Sequence, residues 1–130
     1  MWFDIIPNSK NPIFMQIVSQ VIFNIASGGV AVGDLIPSVR KLAEELSVHP
    51  NTVARAFQEL ERMGVVAERR GRGMEVTPDA PKICQAERHQ RVGERIREAL
   101  REALSSGLSA EEIRRLVDDE IGRGMGKRRE

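Results

Sequence analysis

The chain has one cysteine, Cys84, too few for an intramolecular disulfide. No second thiol or nearby histidine pair accompanies it, so no metal site is expected and the thiol reads as structural. No apolar run approaches the roughly 18 residues needed to span a membrane. The start, MWFDIIPNSK, lacks the basic opening and apolar stretch of a secretory signal. A cytoplasmic protein that does not engage membranes is therefore expected. An excess of positive charge is also missing. The net charge is +1 and the pI about 8.0, below the value above about 9 that marks many nucleic-acid binders. Met1 to Pro78 carries 8 Lys/Arg against 8 Asp/Glu, and the remainder 12 against 11, so only local placement of charge can matter. Nothing supplies a nucleophile–base pair, a phosphate loop or a metal cluster. Catalysis is not expected, nor is a cofactor.

What is there fits 130 residues arranged as one ordinary domain, or a small domain with a helical appendage. Pro12 to Ala26 predicts a first helix, with Ile13, Phe14, Ile17, Val21 and Ile25 on one face and Gly28-Gly29 beyond its end. Ser38 to Leu46 predicts a second, with Ser38 as N-cap and Val39, Leu42, Ala43 and Leu46 inward. After Ser47 to His49 a third helix starts at Pro50, buries Val53, Phe57 and Leu60, and stops at Gly64. VVAER (Val65 to Arg69) and MEV (Met74 to Val76) flank the turn RGRG and predict a hairpin. The run Thr77-Pro78-Asp79-Ala80-Pro81 reads as a break. Beyond it, Val92, Ile96, Leu100, Ala103 and Leu104 stripe a charged helix that ends near Gly107. A last helix starts at the capping-box pair Ser109 and Glu112 and carries Ile113, Leu116, Val117 and Ile121.

Three short helices and a two-stranded hairpin make a winged helix-turn-helix, mainly α with a small β wing. The third helix opens with short hydrogen-bonding side chains on its outer face. Asn51 can donate and accept across one base edge, Thr52 offers a hydroxyl and a methyl, and Arg55 can grip guanine or phosphate with two parallel bonds. Gln58, Glu59 and Arg62 further along read as solvated. At the hairpin tip Gly71 and Gly73 let the backbone lie close to a groove or phosphate, while Arg70 and Arg72 supply charge. Arg40 and Lys41, with Ser38 beside them, and His49 at the start of the third helix complete the candidate DNA-binding set. His49 reads as a cap or a phosphate neighbour, since the only other histidine, His89, lies beyond the break.

The stretch VGDLIPSVRKLAEELSVHPNTVARAFQELERMGVVAERRGRGMEV, preceded by NP-IF-MQI, resembles the DNA-binding domain of the GntR family of bacterial transcription regulators, in particular its YtrA-like branch. The match covers about Phe3 to Val76, and LSAEEIRRLVDDEI resembles the end of the short helical segment of that branch. The resemblance implies a dimeric repressor. The sequence departs from the pattern at several positions. Lys41 stands where Glu would complete a capping box with Ser38, and His49 where Asn is usual. Pro50 and Ala54 replace arginines found in other branches, and Ile22 and Phe23 replace commonly polar residues.

The expected organisation is a DNA-binding domain over residues 1–78, a linker over 79–82, a two-helix dimerisation segment over 83–122 and a disordered tail over 123–130. Two amphipathic helices alone bury little, which favours packing across a homodimer. The expected interface comprises Ile22, Phe23, Val92, Ile96, Leu100, Leu104, Ile113, Leu116, Val117 and Ile121. The expected partner is double-stranded DNA, bound at a palindromic operator. The roughly 50 residues after the linker are too few to enclose a usual ligand pocket of about 300 Å³ or more within one subunit, which leaves a pocket shared between subunits open and any small-molecule effector unknown. The alternative is a winged-helix protein-interaction module without sequence-specific DNA binding.

Overall fold

The computed structural model describes residues 3–129, with side chains to Met125. The elements in order are α1 (Ile13–Ala26), α2 (Val39–Leu46), α3 (Pro50–Arg62), β1 (Val66–Arg69), β2 (Gly73–Val76), α4 (Ala80–Ser105) and α5 (Ala110–Arg129). They form two compact units, one ending at His89 and one beginning at Gln90. Among the described residues no helix is long and apolar enough to cross a membrane. The fold is mainly helical with a small β wing, the class expected from the sequence.

The core of the first unit is aliphatic. Ile17, Val18, Val21, Ile22, Leu42, Val53, Leu60 and Val65 are fully buried, each worth about 1.5–3 kcal/mol relative to exposure. α3 packs against both α1 and α2. Ahead of α1, two glutamines one turn apart pin the N-terminal segment. The carboxamide of Gln16 accepts from Ile6 N at 2.8 Å and donates to Ile6 O and Asn11 O, both at 2.9 Å. Gln20 accepts from Asp4 N and donates to Asp4 O, both at 2.6 Å. Gln16 is therefore buried with its polar atoms satisfied, which is the condition for a side-chain amide inside a core.

Ile22, expected at a dimer interface, is instead fully buried in this core, and Phe23 is half-buried against it. α1 buries Ile17, Val18, Val21, Ile22, Ile25 and Ala26, more than one narrow stripe. The helix is covered over a wide arc, so the Val18–Ile22 row one turn apart lies inside. Ile22 cannot serve an interface from there.

The hairpin pairs Val66 with Val76 and Arg69 with Gly73 in antiparallel register, adding Gly73 to the expected second strand and leaving the buried Val65 outside the first. A third segment joins the sheet. Ile36 N donates to Met74 O at 3.0 Å, Gly33 N to Val76 O at 2.9 Å and Val76 N to Asp34 O at 2.9 Å, with a bridge between Leu35 and Glu75. Thr77 ties the sheet to the end of α3, its Oγ1 donating to Gly64 O at 2.6 Å.

Two domain boundaries need correction. Residues 79–82 are not a linker, because α4 begins at Ala80. Pro81 falls in the first helical turn, where its missing N–H leaves no bond unmade. Ala80 and Cys84 are fully buried, and Ile83 packs on the core beside Gly64. The first turns of α4, as far as His89, thus complete the first unit. The expected tail differs too, in that α5 is helical as far as Arg129. Gly122 and Gly124 each weaken a helix by about 1 kcal/mol relative to Ala, and the run contains no proline to break it. Glu130 lies outside the described residues.

In the second unit Ser109 caps α5 as expected, although Glu112 turns to the Ser109 hydroxyl rather than to its backbone amide, so one arm of the capping box forms. The Ser109 hydroxyl accepts from Glu112 N at 3.1 Å and donates to the Glu112 carboxylate at 3.1 Å. Gly107, at φ 95°, makes the turn between α4 and α5. Of the expected interface residues here only Ile113 is buried, at 8% exposure, within its own hairpin. Its burial comes from its own protomer, and its remaining surface faces a groove of the hairpin. Val92, Ile96, Leu104, Leu116, Val117 and Ile121 remain exposed. Leu100, Leu104, Ile113 and Val117 line an open groove of about 440 Å³. Ion pairs lie along the same helices: Glu94 with Arg97 at 2.8 Å and Arg101 at 3.5 Å, and Glu120 with Arg123 at 3.3 Å. The hydrogen bond from Arg97 holds the Glu94 carboxyl below its usual range.

Candidate nucleic-acid interface

α2 ends at Ser47, whose φ of 55° puts a non-glycine residue in the left-handed region. That conformation normally favours glycine or asparagine, so Ser47 sits under local strain that the packing of α2 on α3 sustains. Val48 N donates to Ala43 O at 3.1 Å, closing α2 and delivering the chain into α3 within three residues. This is the tight turn of a helix-turn-helix.

α2 is capped without the missing glutamate. Ser38 Oγ accepts from Lys41 N at 3.1 Å, so one arm of the box suffices. Arg40 and Lys41 project from this first turn and are exposed. Arg40 faces Glu44 at 3.7 Å with both side chains largely in solvent, a pairing too weak to hold the guanidinium.

α3 is capped by an imidazole. His49 Nδ1 accepts from Asn51 N at 3.0 Å, which places the ring proton on Nε2, facing away from the helix end. An exposed N–H beside the first turn of a helix suits a phosphate oxygen. Pro50 follows at the first helical position. Val53, Ala56, Phe57 and Leu60 face the core. Asn51, Arg55, Gln58 and Arg62 form an exposed row at helical spacing, while Thr52 and Glu59 are half-buried beside it.

The polar groups of this row are in different states. Arg62 Nε donates to the Glu59 carboxylate at 3.0 Å, and that bond raises the guanidinium pKa further. Arg62 is thus engaged within its own helix. Among the described residues Arg55 is not paired with an acid. Its guanidinium lies 3.8 Å over the ring centroid of Phe14 on α1. Sequence reasoning missed this contact, for the only sign of it is that Phe14 lies on the expected apolar face of α1.

At the wing tip, Arg72 N donates to Arg69 O at 2.9 Å across a four-residue turn. Gly71, the third residue of that turn, has φ 77°, and Gly73 has φ 110°, so a side chain at either position would be strained. Arg69 Nε donates to Glu75 at 2.9 Å and braces the hairpin. Arg70 and Arg72 are exposed and make no ion pair among the described residues. Glu59 and Glu75 each bind a neighbouring arginine, and Glu44 only loosely faces Arg40, leaving Arg40, Lys41, Arg55, Arg70 and Arg72 as cations available to a polyanion. A net charge of +1 is compatible with a locally basic surface for this reason. Among the described residues no group of acids, histidines or cysteines could hold a metal.

Residues 15–76 match the family described as bacterial regulatory proteins, gntR family. The chain is 31% identical over 113 residues to the HTH-type transcriptional repressor YtrA of Bacillus subtilis, covering 87% of both chains. It is 42% identical over 65 residues to the uncharacterized HTH-type transcriptional regulator YhcF of the same organism; that match spans 50% of this chain and about half, 54%, of the relative. In structure it is similar to a GntR family transcriptional regulator from Listeria monocytogenes, with a TM-score of 0.69 and 31% identity, covering 86% of this chain and 97% of that one.

Proposed function

The chain belongs to the gntR family of bacterial regulatory proteins, in its YtrA-like branch, and we propose that it acts as a homodimeric repressor on a palindromic operator. It is a transcription regulator with a winged-helix DNA-binding fold and not an enzyme. The observation that carries the proposal is the contrast within α3. One face is sealed in the core, while the other presents Asn51 and Arg55 at its start with no acidic partner among the described residues. A helix whose first turns are exposed, polar and positively charged has the form of a major-groove reader.

The roles divide accordingly. Asn51, Thr52 and Arg55 read base edges. His49, Ser38, Arg40 and Lys41 hold phosphates around the ends of α2 and α3. Arg70 and Arg72 hold the backbone or the minor groove, with Gly71 and Gly73 permitting close approach. The dimer forms through the apolar residues that α4 and α5 leave in solvent: Val92, Ile96, Leu104, Leu116, Val117 and Ile121. A second copy would cover them and fill the groove beside Leu100, and a symmetric pair presents α3 twice to a two-fold operator. The name of the Bacillus relative, a repressor, supports the direction of control.

Selection of bound duplexes from a random DNA pool tests this reading. An inverted repeat should emerge, and Arg55→Ala should lose roughly 1–3 kcal/mol on it and much less on unrelated DNA. Promoter DNA carrying that repeat should be transcribed less when the protein is added. A pool that enriches no repeat, or substitutions at Asn51, Thr52 and Arg55 that leave preference unchanged, would favour a protein-interaction module instead.

A further inference from the structure

Phe14 stands in the first turn of α1, at the edge of the face that buries Ile17 and Val21. Its ring is half-buried, and the part left outside supports the Arg55 guanidinium at 3.8 Å. Both residues border an open groove of about 430 Å³ between α1 and α3, shared with Met15, Gln58, Glu59 and Arg62. The one acid of that groove already accepts from Arg62. Arg55 therefore rests on a ring rather than on a carboxylate.

That difference matters for recognition. A carboxylate would occupy the N–H fork of the guanidinium, the same edge needed to grip the O6 and N7 of guanine. A ring occupies only the flat face. The N–H bonds lie in the guanidinium plane and point outward from its edge, so contact of the flat face with a ring leaves them able to donate. The stack also restricts a long side chain that would otherwise sample many rotamers, so fewer conformations are lost when a base is gripped.

We propose that Phe14 is a positioning residue for specificity: it holds the Arg55 guanidinium at a fixed orientation, with its donor edge free, for reading a base. The proposal rests on the reading of Arg55 as a base-contacting residue. The expected effect follows from the strength of an exposed cation–π contact, about two- to five-fold in affinity for the preferred sequence. Affinity for unrelated DNA, which depends on phosphates, should not change.

The test uses the full chain, a duplex recovered by selection and a scrambled duplex of equal composition. Dissociation constants on both are measured for the natural protein, Phe14→Leu, Phe14→Tyr, Arg55→Ala and the Phe14→Leu/Arg55→Ala pair. Phe14→Leu should narrow the ratio between the duplexes about two- to five-fold, Phe14→Tyr should keep it, and Phe14→Leu should add nothing once Arg55 is alanine. Equal losses on both duplexes, or an equal loss with and without Arg55, would show that Phe14 serves only packing and would overturn the proposal. Proton NMR of the free natural protein provides a check that does not depend on the folding of a variant. The Arg55 δ protons should be shifted upfield by the Phe14 ring current, and random-coil shifts would overturn the stack itself. Should Arg55→Ala leave the ratio intact, the base-reading role of Arg55 fails and the role of Phe14 falls with it. Should Arg55→Ala collapse the ratio while Phe14→Leu leaves it whole, only the Phe14 proposal fails.

Discussion

Replacing Leu116 with alanine should weaken the proposed dimer while leaving the DNA-binding unit folded. Leu116 is 61% exposed on α5, the most exposed of the large apolar side chains on that helix. Fully burying a leucine is worth about 1.5–3 kcal/mol, so covering the exposed part is worth roughly 1–2 kcal/mol per protomer. A two-fold interface loses the contribution twice, roughly 2–4 kcal/mol, which corresponds to an increase of about 30- to 1,000-fold in the dimer dissociation constant. Sedimentation equilibrium over a concentration series measures that constant directly. Thermal unfolding should change far less than for a core substitution, since Leu116 has little to lose within its own chain. An unchanged dimer constant would refute the reasoning, as would a protein that is monomeric before substitution at every concentration tested.

Three further outcomes are expected. Ile22→Ala should cost about 2–5 kcal/mol of stability in urea unfolding while leaving the dimer constant of the folded protein unchanged, because Ile22 is fully buried in the core; a weaker dimer at unchanged stability would return it to the interface. Arg72→Ala should weaken selected and scrambled duplexes alike and make the salt dependence shallower by about one unit per lost phosphate contact, measured by titration at several salt concentrations; a loss confined to the selected duplex would make it a base reader. Burial, aided by Glu87, pushes the Cys84 thiol up to about 11, so the fold favours the neutral thiol. Its contribution to stability is complete below the unfolded pKa of about 9 and is lost as pH rises toward 11, roughly 1 kcal/mol between pH 8 and pH 10. Unfolding free energies from urea titrations of the natural protein and Cys84→Ala should diverge by this amount across that range, and parallel curves would contradict it.

The helix-turn-helix was legible because two independent signals agreed. The spacing of Leu42, Ala43, Val53, Phe57 and Leu60 fixed the buried faces, and Ser38, Ser47 to His49 and Pro50 marked where helices begin and end. His49 could be placed at the N-cap by position, although only the structure shows its ring accepting the Asn51 amide. Local pattern misled where one residue type permits two outcomes. Pro81 can break a chain or begin a helix, and burial of Ala80 and Cys84 selects the second. The segment Gly33 to Ile36 is too short for alternation to reveal a strand, and its pairing with β2 is a tertiary event. Ile22 was misplaced by assigning α1 a single narrow apolar stripe, whereas the packed helix buries a wide arc. The Arg55–Phe14 contact joins residues far apart in sequence, and no periodicity within either helix encodes it.

The central claim is that one dimer reads one two-fold operator through two copies of α3. It is tested most directly by titrating the full chain, at fixed salt, against three duplexes: the selected inverted repeat, the same duplex with one half-site scrambled, and the same duplex with both scrambled. The account predicts one dimer per duplex and affinity for the intact repeat at least about 10³-fold above the fully scrambled duplex, with the half-scrambled duplex between them. Equal affinity for all three duplexes, or binding of the intact repeat by a single protomer, would contradict it.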